Sequence, residues 1–187
     1  MKKSILIIGA IIMMAGFSTR AMAQSGTPSS ASNTAGAILI VPLKLLTTHA
    51  LNFGTLNMGT GLAGTCTLAT DGTTSYTDGV TNSQFKSAPA NATYTVAGTY
   101  NMTYALTVDP SILLNAASGL TGAKTMTINN LMVSFTNNPG PFAVATSHST
   151  LSPLGVDAFI IGGTLNVGAA QASGAYTGSF NASVEYN

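Results

Sequence analysis

Histidine is the side chain most suited to proton transfer near neutral pH, and this chain carries only two, His49 and His148. Neither has a His, Cys, Asp or Glu close by in the sequence, so the clustered spacing of a metal site is missing. A Ser–His–Asp triad can draw its members from anywhere in a chain, but no G-x-S-x-G nucleophile elbow is present to support one. We therefore predict no metal site and expect both histidines to lie on the surface.

Paired carboxylates, the other common acid–base device, would have to come from four aspartates and one glutamate. Asp71 and Asp78 each precede a glycine and Asp109 precedes a proline, which is typical of turns. Only Asp157 and Glu185 remain, and no loop gathers the several acids that calcium favours. The sequence therefore predicts no catalytic residues, with a secreted hydrolase as a minor alternative.

A glycine-rich stretch, Gly59–Gly64, matches the dinucleotide-binding pattern G-x-G-x-x-G. That pattern binds a pyrophosphate only where a strand precedes it and a helix begins on it. Here the following residues, Thr65–Leu68, have the composition of a strand. We interpret the stretch as a loop and predict no cofactor.

The N-terminus has the three parts of a secretory signal peptide. Lys2 and Lys3 precede an apolar run, Ile5–Phe17, and Ala21-Met22-Ala23 provides a small-x-small cleavage site. A membrane-spanning helix needs about 20 apolar residues, and this run is shorter. We predict a signal peptide over residues 1–23, no membrane span after its cleavage, and a location in the periplasm, on the cell surface or outside the cell.

The predicted mature chain has little charge. Its basic residues are three scattered lysines, Lys44, Lys86 and Lys124, against five acidic residues. Binding to nucleic acid needs clustered Lys and Arg. We therefore predict that the protein does not bind nucleic acid. The single cysteine, Cys66, cannot form an intramolecular disulfide, and we expect it to be a buried apolar residue, although a link between two chains is the alternative.

Hydrophobic alternation predicts an all-β fold after a flexible polar lead-in over residues 24–36. The alternating residues from Tyr94 to Val108 indicate a strand or hairpin that bends at Gly98-Thr99. Asp71-Gly72 predicts a hairpin with a two-residue turn, and Asp109–Leu120 predicts a short helical turn. Frequent turns favour an immunoglobulin-like antiparallel β-sandwich formed by one domain, residues 37–187. The other predicted strands are Ala37–Val41, Lys44–Leu46, Thr65–Thr70, Thr74–Thr77, Thr125–Ile128, Leu131–Phe135, Ala158–Ile161, Thr164–Val167 and Tyr176–Tyr186.

The last of these strands carries the candidate functional residues. Apolar and polar residues alternate up to the penultimate position, so one face of the strand must be buried. Either the protein's own sheet or another protein could cover that face, and the sequence leaves both open. The candidates for strand pairing and assembly are Gly174, Tyr176, Gly178, Phe180, Ala182, Val184 and Tyr186.

This C-terminus resembles that of chaperone–usher pilus subunits, which have a glycine fourteen places from the end and a penultimate aromatic residue. Gly174 and Tyr186 occupy those places. The resemblance implies that the final strand pairs with a periplasmic chaperone and that a neighbour's N-terminal strand later completes the sandwich. Two features differ, since no disulfide is possible and residues 24–36 do not alternate. Ala37–Leu46 is a candidate donor strand, but its pattern is more typical of the first strand of the domain.

A second resemblance covers most of the predicted mature chain. Leu51–Thr55, Ile161–Val167, Gln171 and the pattern from Gly174 to Tyr186-Asn187 are similar to the bacterial domain of unknown function 4402. This resemblance implies a small exported protein, distantly similar to pilins and spore-coat-U-like domains. It implies no agreed activity and no catalytic residue.

The expected function is therefore structural: an exported subunit of a fimbria or other surface assembly, with a second copy or a periplasmic chaperone as the partner. The alternative is a monomeric secreted binding module, with carbohydrate as a possible ligand. Aromatic stacking faces would come from Tyr76, Tyr94, Tyr100 and Tyr104, although the spacing of the last three favours the core. A surface cluster of these tyrosines would support the binding module.

Overall fold

A computed structural model describes residues 31–59, 61–83 and 87–187. The predicted signal peptide and residues 24–30 of the predicted lead-in lie outside this part of the chain. Residues 31–36 are exposed and form no strand, and Leu39–Asn187 forms one compact unit.

The described residues form antiparallel β-strands and one short 3-10 helix, Val144–Thr146, with no α-helix among them, as the all-β prediction requires. The strands are β1 (Lys44–His49), β2 (Leu56–Met58), β3 (Gly64–Leu68), β4 (Thr74–Asp78), β5 (Val80–Asn82), β6 (Ala92–Ala97), β7 (Thr103–Val108), β8 (Ile112–Ala116), β9 (Thr125–Phe135), β10 (Phe142–Ala143), β11 (His148–Thr150), β12 (Val156–Val167), β13 (Tyr176–Thr177) and β14 (Ala182–Tyr186).

Three sheets contain these strands. The large sheet follows the order β1-β6-β12-β9-β8-β13, with β3 and β4 joined to it through β12, and β10 joined through β9. The second sheet has the order β11-β7-β14, and the third pairs β2 with β5. The antiparallel hairpin β3–β4 surrounds Asp71-Gly72, so the predicted hairpin is confirmed, but its connection is longer than the two residues predicted, because the last cross-strand pair is Leu68 with Thr74.

Strand β12 lies at the centre of the large sheet. One of its edges pairs with β9 along almost the whole strand, and the other pairs first with β6 and then with β3. The change of partner falls at Gly162, where a Cβ would collide with the backbone carbonyl of Leu68. Asn91 closes the gap by donating to the carbonyls of Ala69 (2.9 Å) and Ile161 (3.3 Å). Glycine is required here by the close backbone approach.

The large sheet and the β11-β7-β14 sheet share one hydrophobic core. Phe159 on β12 stacks on Tyr94 (ring centroids 4.9 Å apart) and meets the edge of Phe135 at 5.8 Å. Phe135 in turn contacts Tyr104 of β7 edge-on, at 6.0 Å. These aromatic contacts connect the two sheets. Cys66 belongs to the same core, and its side chain has zero exposure, so its expected burial is confirmed.

A buried carboxylate also joins the two sheets. Asp157 on β12 accepts hydrogen bonds from the Tyr104 hydroxyl (2.9 Å) and the Ser149 hydroxyl (2.7 Å) through Oδ2. Its Oδ1 accepts from the backbone N–H groups of Asn137 (3.0 Å) and Ala158 (2.8 Å). Burial and the nearby Asp157 carboxylate raise the pKa of Tyr104. Asp157, which the sequence left without a role, is therefore a structural acceptor.

Four sequence predictions about these elements were wrong. The run from Tyr94 to Val108 is neither one strand nor a hairpin, because β6 lies in the large sheet and β7 in the β11-β7-β14 sheet. Ala37–Val41 forms no strand and is exposed, because β1 begins only after Pro42, at Lys44. The predicted helical turn in Asp109–Leu120 is strand β8, which gains its hydrogen bonds by pairing with β9. Tyr100 was expected in the core but is 65% exposed, because it lies in the turn between β6 and β7.

Candidate functional site: the C-terminal strand and its open edge

The predicted strand Tyr176–Tyr186 is two strands in two different sheets. Its first residues, β13, pair with β8 of the large sheet, whereas its last residues, β14, pair with β7. The prediction of one continuous strand is therefore wrong. Only three of the seven candidate residues, Ala182, Val184 and Tyr186, lie together on β14.

The first two candidates stabilise their own sheet. A Cβ on Gly174 would lie 2.7 Å from the Leu120 Cδ1 atom, so this position favours a glycine. The Tyr176 hydroxyl lies 2.7 Å from the carbonyl oxygen of Ala172 and 3.0 Å from that of Ala123. It also accepts a hydrogen bond from the Gln171 side-chain amide, at 2.9 Å. These bonds hold the chain before β13 against the β8–β9 connection.

The next two candidates carry the chain from one sheet to the other. A Cβ on Gly178 would collide with the Leu113 carbonyl oxygen and lie 2.8 Å from Leu114 Cδ2, so only glycine fits beside β8. Phe180 is half-buried against the hydrophobic core. Residues 178–180 therefore separate β13, which pairs with β8, from β14, which pairs with β7.

The start of β14 is fixed by Asp109, which the sequence placed in a turn. Its Oδ2 atom accepts hydrogen bonds from the Asn181 backbone N–H (2.8 Å) and side-chain amide (3.2 Å). The Asp109 N–H donates to the Asn181 carbonyl at 3.2 Å. The register then runs without a shift from Ala182, opposite Val108, to Tyr186, opposite Tyr104.

One edge of β14 is open. At one end of the β7–β14 ladder, the Asn181 carbonyl accepts a hydrogen bond from the Asp109 N–H. At the other end, the Asn187 N–H donates to the Thr103 carbonyl. Because hydrogen-bonded and non-bonded pairs alternate in an antiparallel ladder, the odd-numbered residues of β14 bond to β7. The N–H and C=O groups of Ala182, Val184 and Tyr186 therefore point to the opposite edge. No strand lies along that edge in the described part of the chain.

The same three residues have half-buried side chains packed against the core, whereas Ser183 and Glu185 are exposed. A strand added at this edge would therefore find unpaired backbone groups and partly uncovered apolar side chains together. The sequence predicted the buried face of this segment but gave no sign of which edge would be free.

Tyr186 also clamps the start of the compact unit. Its hydroxyl donates to the Val41 carbonyl (2.6 Å) and accepts from the Thr99 N–H (2.7 Å). The Val41 N–H donates to the Thr99 hydroxyl at 2.6 Å. A Cβ on Gly98 would collide with the Tyr186 hydroxyl, so the glycine makes room for it. The sequence signal, Gly98-Thr99, was interpreted only as a bend.

The candidates for other chemistry lie apart from this edge. His49 and His148 are exposed, as predicted, and the His49 Nδ1 atom lies 2.9 Å from the Thr93 hydroxyl. Among the described residues, no three His, Cys, Asp or Glu side chains come together as a metal site. Gly64 of the glycine-rich stretch begins strand β3, not a helix.

The tyrosines do not form a surface cluster within the described residues. Tyr94 and Tyr104 are buried, and the Tyr76 hydroxyl donates to its neighbour Thr74 at 3.2 Å. A shallow depression of about 350 Å³ on the large sheet is lined by residues such as Asp71, Met132 and Gly163, and none of its lining residues is aromatic.

The fold and the site define an all-β protein of antiparallel sheets whose C-terminal strand lies at a sheet edge. The family described as domain of unknown function (DUF4402) matches residues 43–186, and the chain belongs to this family. Comparisons with curated proteins and with solved structures gave no match. No helix within the described residues is long and apolar enough to cross a membrane.

Proposed function

We propose that this protein is an exported structural subunit of a surface assembly, with an immunoglobulin-like, pilin-like sandwich. In this proposal it binds its partners by strand addition at the open edge of β14. The supporting observation is that Ala182, Val184 and Tyr186 have free backbone groups and half-buried apolar side chains at the same edge. A second copy or a periplasmic chaperone would supply the added strand.

The composition of β14 supports this proposal. Proteins usually protect exposed edge strands with prolines, bulges or several charges, because an open edge pairs readily with another chain. β14 has no proline, its register with β7 has no bulge, and Glu185 is its only charged residue. Backbone hydrogen bonds supply affinity in strand addition, and side-chain pockets supply specificity.

The low charge of the chain also favours assembly. The whole sequence has six basic and five acidic residues, so copies repel one another weakly. A surface of this kind suits a protein that packs closely against identical neighbours.

The decisive experiment removes one hydrogen-bond donor from the open edge. Val184→Pro deletes an N–H that points away from β7, and prolines are tolerated on the open side of an edge strand. Val184→Ala is the matched control, because it shortens the side chain but keeps the N–H. We expect association, measured by size-exclusion chromatography with light scattering, to be lost in Val184→Pro and retained in Val184→Ala. Equal association of both variants would contradict the proposal, provided that circular dichroism shows both folded.

A further inference from the structure

The shallow depression of about 350 Å³ lies on the outer face of the large sheet, the face turned away from the core. Gly163 of β12 forms its floor, and the β3–β4 turn and the loop between β9 and β10 border it on opposite sides. On β12, Ile160 and Thr164 face outward, and Gly162 between them has no side chain to fill the space. Two glycines therefore open the depression, and its volume is in the range of small-molecule sites.

A β-bulge in β9 borders this depression. The register with β12 shifts between Gly162 and Thr164, so that two residues of β9, Asn130 and Leu131, lie opposite Gly163. Asn130 has a φ of 48°, in the left-handed region, where the first residue of such a bulge is usually glycine. Bulges redirect side chains and are frequent beside active sites. Because glycine adopts this backbone more readily, an asparagine here indicates a use for its side chain.

Polar groups that the fold does not use lie at this place. The Asn130 side chain lines the depression and makes no hydrogen bond within the described part of the chain. The neighbouring Asn129 has a buried Oδ1 atom that also lacks a partner there. Polar groups without partners are rare in folded proteins, so this bulge is polar beyond what the sheet needs.

Asp71 brings a carboxylate to the opposite side of the depression. Its Oδ1 atom accepts hydrogen bonds from the Thr73 hydroxyl (2.6 Å) and N–H (2.9 Å), whereas its Oδ2 atom has no partner among the described residues. The bonds from the Thr73 hydroxyl and N–H lower the pKa of Asp71, so the carboxyl group is ionised at neutral pH. The turn therefore holds this carboxylate in place and leaves one oxygen available to a ligand.

The lining residues favour a neutral ligand rich in hydroxyl groups. Asp71 is the only charged lining residue, so an anion would meet a negative charge and no cation. Hydroxyl groups instead donate well to a carboxylate, and they both donate to and accept from an amide such as that of Asn130. Thr70 adds a hydroxyl, and Met132 and Pro141 add apolar surface for the C–H groups of a sugar ring.

We propose that this depression binds a neutral saccharide, with Asp71 Oδ2 accepting from one ring hydroxyl and the Asn130 amide bonding to another. The site differs from the tyrosine-based binding module considered from the sequence, because no tyrosine lines the depression. It also lies on the large sheet, whereas the open edge of β14 belongs to the β11-β7-β14 sheet. Saccharide binding is therefore separate from the proposed assembly, and each can fail without the other.

Heteronuclear NMR of the backbone amides tests the site directly. The protein is titrated separately with methyl α-D-glucopyranoside, methyl α-D-galactopyranoside and methyl α-D-mannopyranoside, since the last two each differ from the first in the orientation of one hydroxyl. We expect at least one glycoside to shift the amide signals of Asp71, Asn130 and Gly163 and to leave those of β14 unchanged. The dissociation constant should be millimolar, because the depression is shallow and lacks an aromatic stacking face.

Asn130→Gly removes the amide and keeps the left-handed backbone, so the fold should survive. The matched control is Asn101→Gly, because Asn101 also has a left-handed φ, 56°, but lies in the turn between β6 and β7, away from the depression. We expect binding to be weakened at least about tenfold in Asn130→Gly and to be unchanged in Asn101→Gly. Thermal denaturation shows whether both variants are folded.

Three results would overturn the inference. The first is that none of the three glycosides shifts the amides of the depression. The second is equal affinity of folded Asn130→Gly and Asn101→Gly for the glycoside that binds. The third is that butylammonium chloride, a mimic of a lysine side chain, shifts these amides at lower concentration than any glycoside, since the depression would then be a site for cations held by Asp71.

Discussion

Burial alternates along both β12 and β14, but the two strands have different surroundings. β12 has neighbours on both edges, β9 on one side and β6 then β3 on the other, and it carries Phe159 and Ile161 with zero exposure. β14 has one neighbour, β7, and its apolar side chains stay half-buried. A face-to-face alternation in burial therefore does not tell whether both edges of a strand are paired.

This difference separates a structural role from an interaction role. Substitutions at the buried positions of β12 should reduce the stability of the fold, because those side chains are surrounded by the protein itself. Substitutions in β14 should have smaller effects on stability and larger effects on association.

The largest expected effect is that of Phe159→Ala. Removing this ring deletes its contacts with Tyr94 and Phe135 and leaves a cavity between the sheets. We expect the free energy of unfolding to fall by about 3–5 kcal/mol. Val184→Ala on β14 should lower it by only about 1 kcal/mol, because the side chain is half-buried. Urea denaturation measures both, and equal losses would contradict the comparison.

The next effect is that of Asp157→Asn. The amide keeps the shape of the carboxylate but replaces one acceptor oxygen with a donor, opposite groups that already donate. We expect a loss of about 2–3 kcal/mol in the free energy of unfolding, since hydrogen bonds to a charged group are stronger than neutral ones.

Tyr104→Phe is the control for Asp157→Asn, because it removes only one of the four donors to the carboxylate. Thermal or urea denaturation should show a smaller loss in the free energy of unfolding for Tyr104→Phe than for Asp157→Asn. A Tyr104→Phe protein destabilised as much as Asp157→Asn would mean that the hydroxyl, and not the carboxylate, holds the two sheets together.

The smallest effect expected on stability is that of Tyr186→Phe, which breaks the clamp to Val41 and Thr99. The free energy of unfolding should fall by about 1 kcal/mol, the usual net value of such hydrogen bonds. Tyr100→Phe is the control at an exposed position and should change nothing measurable. The clamp would be irrelevant to the N-terminal segment if amide hydrogen exchange at Val41 were the same in Tyr186→Phe and in the native protein.

Several parts of the structure could be predicted from the sequence because they depend on local chemistry. Asp71-Gly72 predicts its hairpin, since a glycine there accepts a positive φ of 85° that other residues avoid. Tyr94 and Leu106 were assigned to a buried face by a period of two. The family resemblance, which rests on residues such as Gln171 and Tyr186, is confirmed by the match over residues 43–186.

Only the tertiary structure decided how the C-terminal segment is used. Tyr176 and Tyr186 have the same phase of alternation, yet they lie in different sheets, because Gly178 fits against β8 and Asp109 holds Asn181 at the start of β14. Alternation is a property of one strand, whereas pairing partners and open edges depend on contacts between residues far apart in the chain. The sequence by itself determined the all-β class and the buried faces of strands such as β6 and β7, and the long-range contacts determined which segments pair and which edge stays open.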